Sequence, residues 1–421
     1  MKYFRSLISH PFLRGTFIFT SLSFVASLFS YAFNFLLAHV VSRTQYGEYS
    51  AAISYFSLFT VPFGALSLIL MKKIGQISLS QRESYVLAVE KSFYQSIAKY
   101  LPLIAIISLL VGVVLLFVSR LQLSSVAFVL VLTGMTFFIT IYTSFFQAKK
   151  QFVFAGVFLC LLSLLKVLTG GVSAFFRDDL WELYLMIGII HVLMILFAKW
   201  YLRRDGKKMS VNVTFPKFSI LIAQQSFYIP VITFLGLVAM TNIDIMIVKR
   251  FFDAADVGSY AAISLLGRII LYVSLPLTTV AFAFFTDKET NNHSNSVLWI
   301  SLGFLAILGV ISVAGYTLFP MLVVKIIFGA QYLSISSVVW LAAVFGSIYS
   351  LATLLGQYWV AQHHPISMAS LLCAAIQAVW LMVMHDTFVT VLSISIVCST
   401  VLLVIYLSAL IYHQRWIYVS A

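Results

Sequence analysis

Three side chains carry formal charge inside stretches otherwise free of Asp, Glu, Lys and Arg: Lys166, Arg268 and Asp244. A lysine offers a compact point charge, and an arginine grips phosphate oxygens through two parallel N–H bonds, so the two cations suit an anionic headgroup such as a diphosphate. Asp244 has three readings that the residues leave open. It pairs with Arg268, it caps a site for a coupling ion such as H+ or Na+, or it reaches the membrane interface beside Lys249 and Arg250. Asn34, His39, Gln224, Gln225 and His191 add polar groups to neighbouring stretches, each suited either to lining a cavity or to hydrogen bonding between helices.

The elements that must hold these groups are membrane spans. With 62% hydrophobic and 9% charged residues, the chain departs from soluble proteins, in which roughly a quarter of residues are charged. A helical span needs about 20 predominantly apolar residues. Twelve runs qualify: 15–41, 50–71, 101–118, 123–148, 152–176, 183–198, 218–248, 257–286, 296–324, 333–361, 366–384 and 387–412. The expected fold is therefore all-α and polytopic, with about 12 transmembrane helices in two pseudo-symmetric six-helix lobes. At about 1.5 Å rise per residue, Lys166 lies ~21 Å from the start of its run, Arg268 ~16 Å and Asp244 ~6 Å from the outer end of theirs. Placing Lys or Arg at such depth costs roughly 2.5–3.5 kcal/mol on insertion scales, so both cations are expected to face a cavity or an ion pair rather than lipid.

The net charge of +13 does not point to nucleic acid, because of where it falls. If the amino terminus is cytoplasmic, eighteen Lys and Arg residues collect inside, six lie outside and two sit within spans. That asymmetry is the positive-inside pattern, and it places both termini in the cytoplasm. The run 15–41 is too long for the core of a cleaved signal peptide and is read as a span.

The basic segment around Arg203-Arg204-Asp205-Gly206-Lys207-Lys208 divides the chain into an amino-terminal lobe (1–202), a linker (203–217) and a carboxy-terminal lobe (218–421). A second polar segment, 72–99, alternates charges with Ile74, Ile77, Val86, Val89, Phe93 and Ile97, which suits a helix lying on the inner surface or extending a flanking span. The external connections are short, which argues against a glycosyltransferase or polymerase acting outside, and no enzyme chemistry is expected. Asp178, Asp179 and Glu182 open the sixth run, where carboxylates suit the positive end of a helix dipole. His363-His364 lacks a neighbouring carboxylate or cysteine for a metal. Cys160, Cys373 and Cys398 lie in apolar runs without metal or disulfide spacing. No cofactor is predicted beyond the open coupling ion.

A short match links the halves. Tyr46-Gly47-Glu48-Tyr49-Ser50-Ala51-Ala52-Ile53-Ser54 returns as Val257-Gly258-Ser259-Tyr260-Ala261-Ala262-Ile263-Ser264, with Gly47 and Tyr49 offset by 211 from Gly258 and Tyr260. Each copy opens an apolar run containing a proline, Pro62 or Pro276. Such duplication is common in transporters, which place substrate near the repeat interface.

Ser42-Arg43-Thr44-Gln45-Tyr46-Gly47-Glu48-Tyr49, Asn242-Ile243-Asp244-Ile245-Met246-Ile247-Val248 and Asp256-Val257-Gly258-Ser259-Tyr260 resemble the Wzx-type polysaccharide and O-antigen flippases of the multidrug/oligosaccharidyl-lipid/polysaccharide (MOP) exporter superfamily. The resemblance implies twelve helices in two lobes and alternating access for a polyprenyl-diphosphate-linked oligosaccharide in the bacterial inner membrane. It further implies that membrane lipids and other polysaccharide-assembly proteins are partners. Related lipid II flippases have an arginine in the eighth helix, a role that resemblance extends to Arg268. They also carry charges in the first helix, whereas 15–41 has none, and Lys166 is the substitute. A multidrug cation antiporter of the same superfamily is the nearest alternative, although basic mid-span residues suit cationic drugs poorly.

Overall fold

A computed structural model of the chain describes residues 11–172, 180–204, 225–286 and 291–420. Among the described residues every regular element is helical. The helices are α1 (Pro11–Val40), α2 (Arg43–Gly75), α3 (Leu79–Phe117), α4 (Leu123–Ala148), α5 (Phe152–Val172), α6 (Trp181–Arg204) and α7 (Gln225–Met240). They continue as α8 (Ile243–Phe251), α9 (Ala254–Thr286), α10 (Asn291–Leu318), α11 (Pro320–Phe328), α12 (Val339–Ala361), α13 (Ala369–Val383) and α14 (Phe388–Ser420). Eleven are long and apolar enough to cross a bilayer, and twelve spans result if α7 and α8, bent by 44° at a short break, count as one. The all-α polytopic expectation holds, and this is a multi-pass membrane protein.

Two runs divide, and one polar segment extends its neighbours. The segment 72–99 follows the reading that it extends the flanking spans: residues 72–75 end α2, and from Leu79 it runs into the third span as the 39-residue α3. Val86 and Val89 on it are fully buried with Ile74, in a core shared with Phe145, Phe146, Phe158 and Met194. The run 296–324 divides because Pro320, at the first position of α11, cannot continue the hydrogen-bonding ladder of α10. The run 218–248 breaks at Thr241 and Asn242.

Packing separates two units, Met1–Val41 with Pro62–Gln224, and Ser42–Val61 with Gln225–Ala421. Residues 42–61, which the sequence division places in the amino-terminal lobe, thus pack in the second unit. Of the linker expected at 203–217, residues from 205 onward lie outside the described residues, as do Asp178 and Asp179.

In the first unit α1 pairs with α5. Gly156 admits Leu22, Gly170 admits Phe33, and the Cys160 thiol donates to the Leu22 carbonyl at 2.8 Å. At the Lys/Arg-rich end the buried Arg82 donates to the carbonyls of Ala148 (2.9 Å), Gly75 and Ile77 (both 3.0 Å). Glu90, also buried, accepts from Tyr142 Oη at 2.8 Å and lies 3.7 Å from Arg203.

In the second unit, backbones approach at glycine. The two copies of the repeat meet, for a Cβ on Gly47 would stand 2.6 Å from the Gly258 nitrogen, and one on Gly258 would overlap the Arg43 carbonyl oxygen. Membrane helices lack a hydrophobic drive to associate and rely on such close van der Waals approach between small residues. An ion pair joins Glu48 to Lys249 beside this crossing, with both side chains largely buried. Tyr46 and Tyr260 are fully buried near it. The repeat is therefore a packing device as well as a sequence echo.

Gly258→Ala should lower thermal stability in detergent by about 2 kcal/mol or more, since overpacking against rigid backbone costs ~1–3 kcal/mol. Gly303→Ala, where an added Cβ meets nothing within 4 Å, should be neutral or stabilising by up to about 1 kcal/mol. Equal melting shifts in the two variants would contradict the crossing.

Candidate functional site

A helix broken inside a hydrocarbon layer leaves carbonyls at one end and N–H groups at the other with no water to meet them, so side chains must. Thr241 and Asn242 break α7 from α8 because their side chains bond to nearby backbone and compete with the helical ladder. Asn242 Nδ2 donates to the Val238 carbonyl at 2.7 Å, and its backbone N–H donates to that of Ala239 at 3.0 Å. The remaining carbonyls of the α7 end are met from other helices. Tyr349 Oη on α12 donates to Leu237 O at 2.5 Å, Gln377 Nε2 on α13 to Met240 O at 3.1 Å, and Arg268 Nη2 on α9 to Thr241 O at 2.6 Å.

Asp244 lies across the break, in the first turn of α8, where a carboxylate complements the helix dipole. It has no solvent exposure. Oδ1 accepts from the backbone N–H of Ile245 at 2.8 Å, while Oδ2 accepts from Tyr260 Oη at 2.8 Å and Ser264 Oγ at 3.5 Å. Arg268 acts on it electrostatically. The carboxylate is thus enclosed by Tyr260 and Ser264 and shares a cluster with Arg268. Arg268 is only partly committed, because its buried Nε has no hydrogen-bond partner among the described residues.

Lys166 belongs to the first unit, fourteen residues into α5. Its ammonium stands 5.9 Å from the centre of the Phe33 ring, a cation–π contact, and within electrostatic reach of His191. His191 is buried with Nδ1 on the Ile187 carbonyl at 2.7 Å. Among the described residues no carboxylate pairs with Lys166. The two cations thus differ: Arg268 shares its surroundings with a carboxylate, and Lys166 does not.

The other polar candidates serve their own helices. Asn34 Nδ2 donates to the Ser30 carbonyl at 2.8 Å, and His39, exposed, contacts its Phe35 carbonyl at 2.9 Å. Gln224 and the side chain of Gln225 lie outside the described residues. His364 packs against Trp359 with the rings tilted by 51° and accepts from the Ile366 N–H at 3.2 Å. Among the described residues no three His, Cys, Asp or Glu side chains form a metal-binding group. Sequence reasoning missed Thr241, Tyr260, Tyr349 and Gln377 as members of the cluster. The legible signal was Tyr260, the tyrosine shared by both copies of the repeat.

No protein-family model and no curated protein matches the chain. Solved structures do match in fold. One described as lipid II flippase MurJ in an inward closed conformation aligns with a TM-score of 0.70 at 14% identity, covering 94% of this chain and 87% of the other. An inward-facing multidrug resistance MATE family transporter of the MOP superfamily gives 0.67 at 12% identity, covering 94% and 95%. A MOP superfamily transporter from Pyrococcus furiosus, described as having a binding pocket of reversed polarity, gives 0.60 at 13% identity, covering 97% and 95%. The chain has the fold of MOP superfamily transporters and flippases.

Arg268→Met should destabilise the protein by about 1–3 kcal/mol, the cost of leaving a buried acceptor unsatisfied. A double-mutant cycle of Arg268→Met with Asp244→Asn, read by thermal unfolding, should show a coupling of about 0.5–3 kcal/mol. Strict additivity would place the two side chains in separate environments.

Proposed function

We propose that the chain is a flippase that moves a polyprenyl-diphosphate-linked oligosaccharide from the cytoplasmic to the outer leaflet of a bacterial inner membrane. In this reading both termini are cytoplasmic, residues 1–202 and 218–421 act as two lobes in alternating access, and the cargo feeds cell-surface polysaccharide assembly, O-antigen among its classes. The observation that carries it is Lys166, a cation inside a span with an aromatic ring beside it and no paired carboxylate among the described residues. Such a charge is expensive in hydrocarbon and is rarely kept without a partner, and a diphosphate is a chemically suited one. Arg268, with a buried N–H still available, is the proposed second contact. The fold likeness to a lipid II flippase is consistent with cargo of this kind.

Mechanistically the protein makes and breaks no covalent bond. Lys166 and Arg268 replace part of the hydration shell of the diphosphate, lowering the cost of carrying it past the bilayer core while the polyprenyl tail stays in lipid. Two uncompensated negative charges moving outward across a negative-inside potential gain about 4.6 kcal/mol per 100 mV, twice the single-charge value.

A cation-coupled multidrug antiporter is the second reading. It is favoured by the buried Asp244 and by two buried acceptors nearby, Asn242 Oδ1 and Gln377 Oε1, that have no hydrogen-bond partner among the described residues. Oxygen sets of this type suit a hard cation or a proton. The closeness of Arg268 weighs against it.

In proteoliposomes loaded with a fluorescent polyprenyl-diphosphate oligosaccharide, Lys166→Gln should slow translocation about tenfold or more, the equivalent of one lost charge-assisted hydrogen bond of ~1.5–3 kcal/mol. Lys166→Arg should retain most of the rate. Full activity in a correctly inserted Lys166→Gln protein would remove the anion reading. Translocation that instead follows an imposed Na+ or H+ gradient and is abolished by Asp244→Asn, with a lipophilic cation as cargo, would favour the antiporter.

A further inference from the structure

Beside the crossing of the two repeat copies, the second unit holds a cavity of about 360 Å³ whose lining residues do not include Asp244 or Arg268. Four separate connections build it. Arg43 comes from the start of α2, Asp256 from the first turn of α9, Ser334 and Ser337 from the segment between α11 and α12, and Thr387 and Phe388 from the start of α14. Asp256, Ser334, Ser337 and Thr387 are exposed, so the cavity is reachable from water.

Its chemistry is distinctive in what it balances. One guanidinium and one carboxylate cancel, so neither an anion nor a cation is selected by charge. Arg43 lies over the Tyr332 ring at 5.5 Å and has no carboxylate partner among the described residues. Asp256 and the Ser334 and Ser337 hydroxyls likewise have no hydrogen bond among the described residues, whereas the Thr387 hydroxyl is engaged at the start of α14, accepting from the Thr390 N–H at 3.1 Å. The wall therefore presents donors only at Arg43, acceptors only at Asp256, and groups that both donate and accept at the two serines. Phe388 closes one side and is held rigid by Phe252 (5.5 Å between ring centres) and Tyr260 (5.6 Å).

We propose that this cavity binds a neutral sugar residue. Vicinal hydroxyls donate to a carboxylate and accept from a guanidinium at the same time, and a compact concave site of this size with a few convergent polar groups on an apolar frame is what a small ligand requires. This inference rests on the proposed export of a glycan, of which the cavity would hold one sugar. Residues just ahead of each copy of the repeat contribute to it, Arg43 four residues before Gly47 and Asp256 two before Gly258. The polar residues of those motifs thereby acquire a role that helix packing does not explain.

Saturation-transfer NMR on the full chain in lipid nanodiscs tests it, with D-glucose, D-galactose and N-acetylglucosamine as probes and glycine betaine as a zwitterionic comparator. At least one sugar should show transfer that titrates to saturation, and Arg43→Gln with Asp256→Asn should weaken its affinity about tenfold or more, as expected for lost charge-assisted hydrogen bonds. Ser334→Trp, which fills the cavity without touching either charge, should abolish the signal. Lys166→Gln should leave it unchanged, so that the sugar site and the headgroup reading fail separately. Absence of transfer from all three sugars, transfer from glycine betaine alone, or an undiminished signal in Ser334→Trp would overturn the proposal.

Discussion

A helix interrupted within the apolar layer is tolerable only if every backbone group it releases finds a partner, and the second unit is organised around that requirement. The carbonyls of Leu237, Val238, Ala239, Met240 and Thr241 each accept a hydrogen bond, from α9, α12, α13 or Asn242 itself. Four helices are thereby fastened to one point. The same bonds place a carboxylate and a guanidinium in mutual reach, so the demand for backbone satisfaction and the assembly of a charged cluster have one physical origin. The glycine contacts act with it: Gly267 and Gly346 bring α9 and α12 into backbone contact, and Gly236 does the same for α7 and α13. Without those approaches, Tyr349 and Gln377 would not reach the α7 carbonyls.

The first unit solves a different problem. Its buried charges, Arg82 and Glu90, sit at the end of the bundle that carries most basic residues, where Arg82 satisfies the carbonyls at the end of α2 and of α4. Lys166 is the exception, held by a ring and set near a histidine. A cation without a carboxylate in one unit and a cation beside one in the other give the two units distinct electrostatic characters.

Much of this was legible in the chain. Long uncharged runs mark spans because only apolar helices satisfy both lipid and backbone, and the count of twelve follows once α7 and α8 are joined. Lys166, Arg268 and Asp244 stood out because a charge in such a run is costly. The break was not legible: Thr241 and Asn242 sit within an apolar run, and hydropathy averages over two polar residues. Nor were the partners, since Phe33 is far from Lys166 in sequence and Gln377 far from Met240. Nor was the enclosure of Asp244 by Tyr260 and Ser264, because the 44° bend between α7 and α8 leaves no mark in hydropathy. Proximity between the repeat copies could be suspected from their shared glycine and tyrosine, but the direct meeting of Gly47 with Gly258 depends on a crossing that one-dimensional pattern does not contain.

The membership of residues 42–61 in the second unit has a consequence for biogenesis. Glu48 leaves the ribosome about 200 residues ahead of Lys249, an interval on the order of 10–40 s at ordinary elongation speeds. Through that interval the start of α2 is in the membrane with its acidic side chain and its glycine face waiting for helices not yet synthesised. The amino-terminal half cannot mature as an independent module during translation, and its completion is timed by the arrival of α8 and α9.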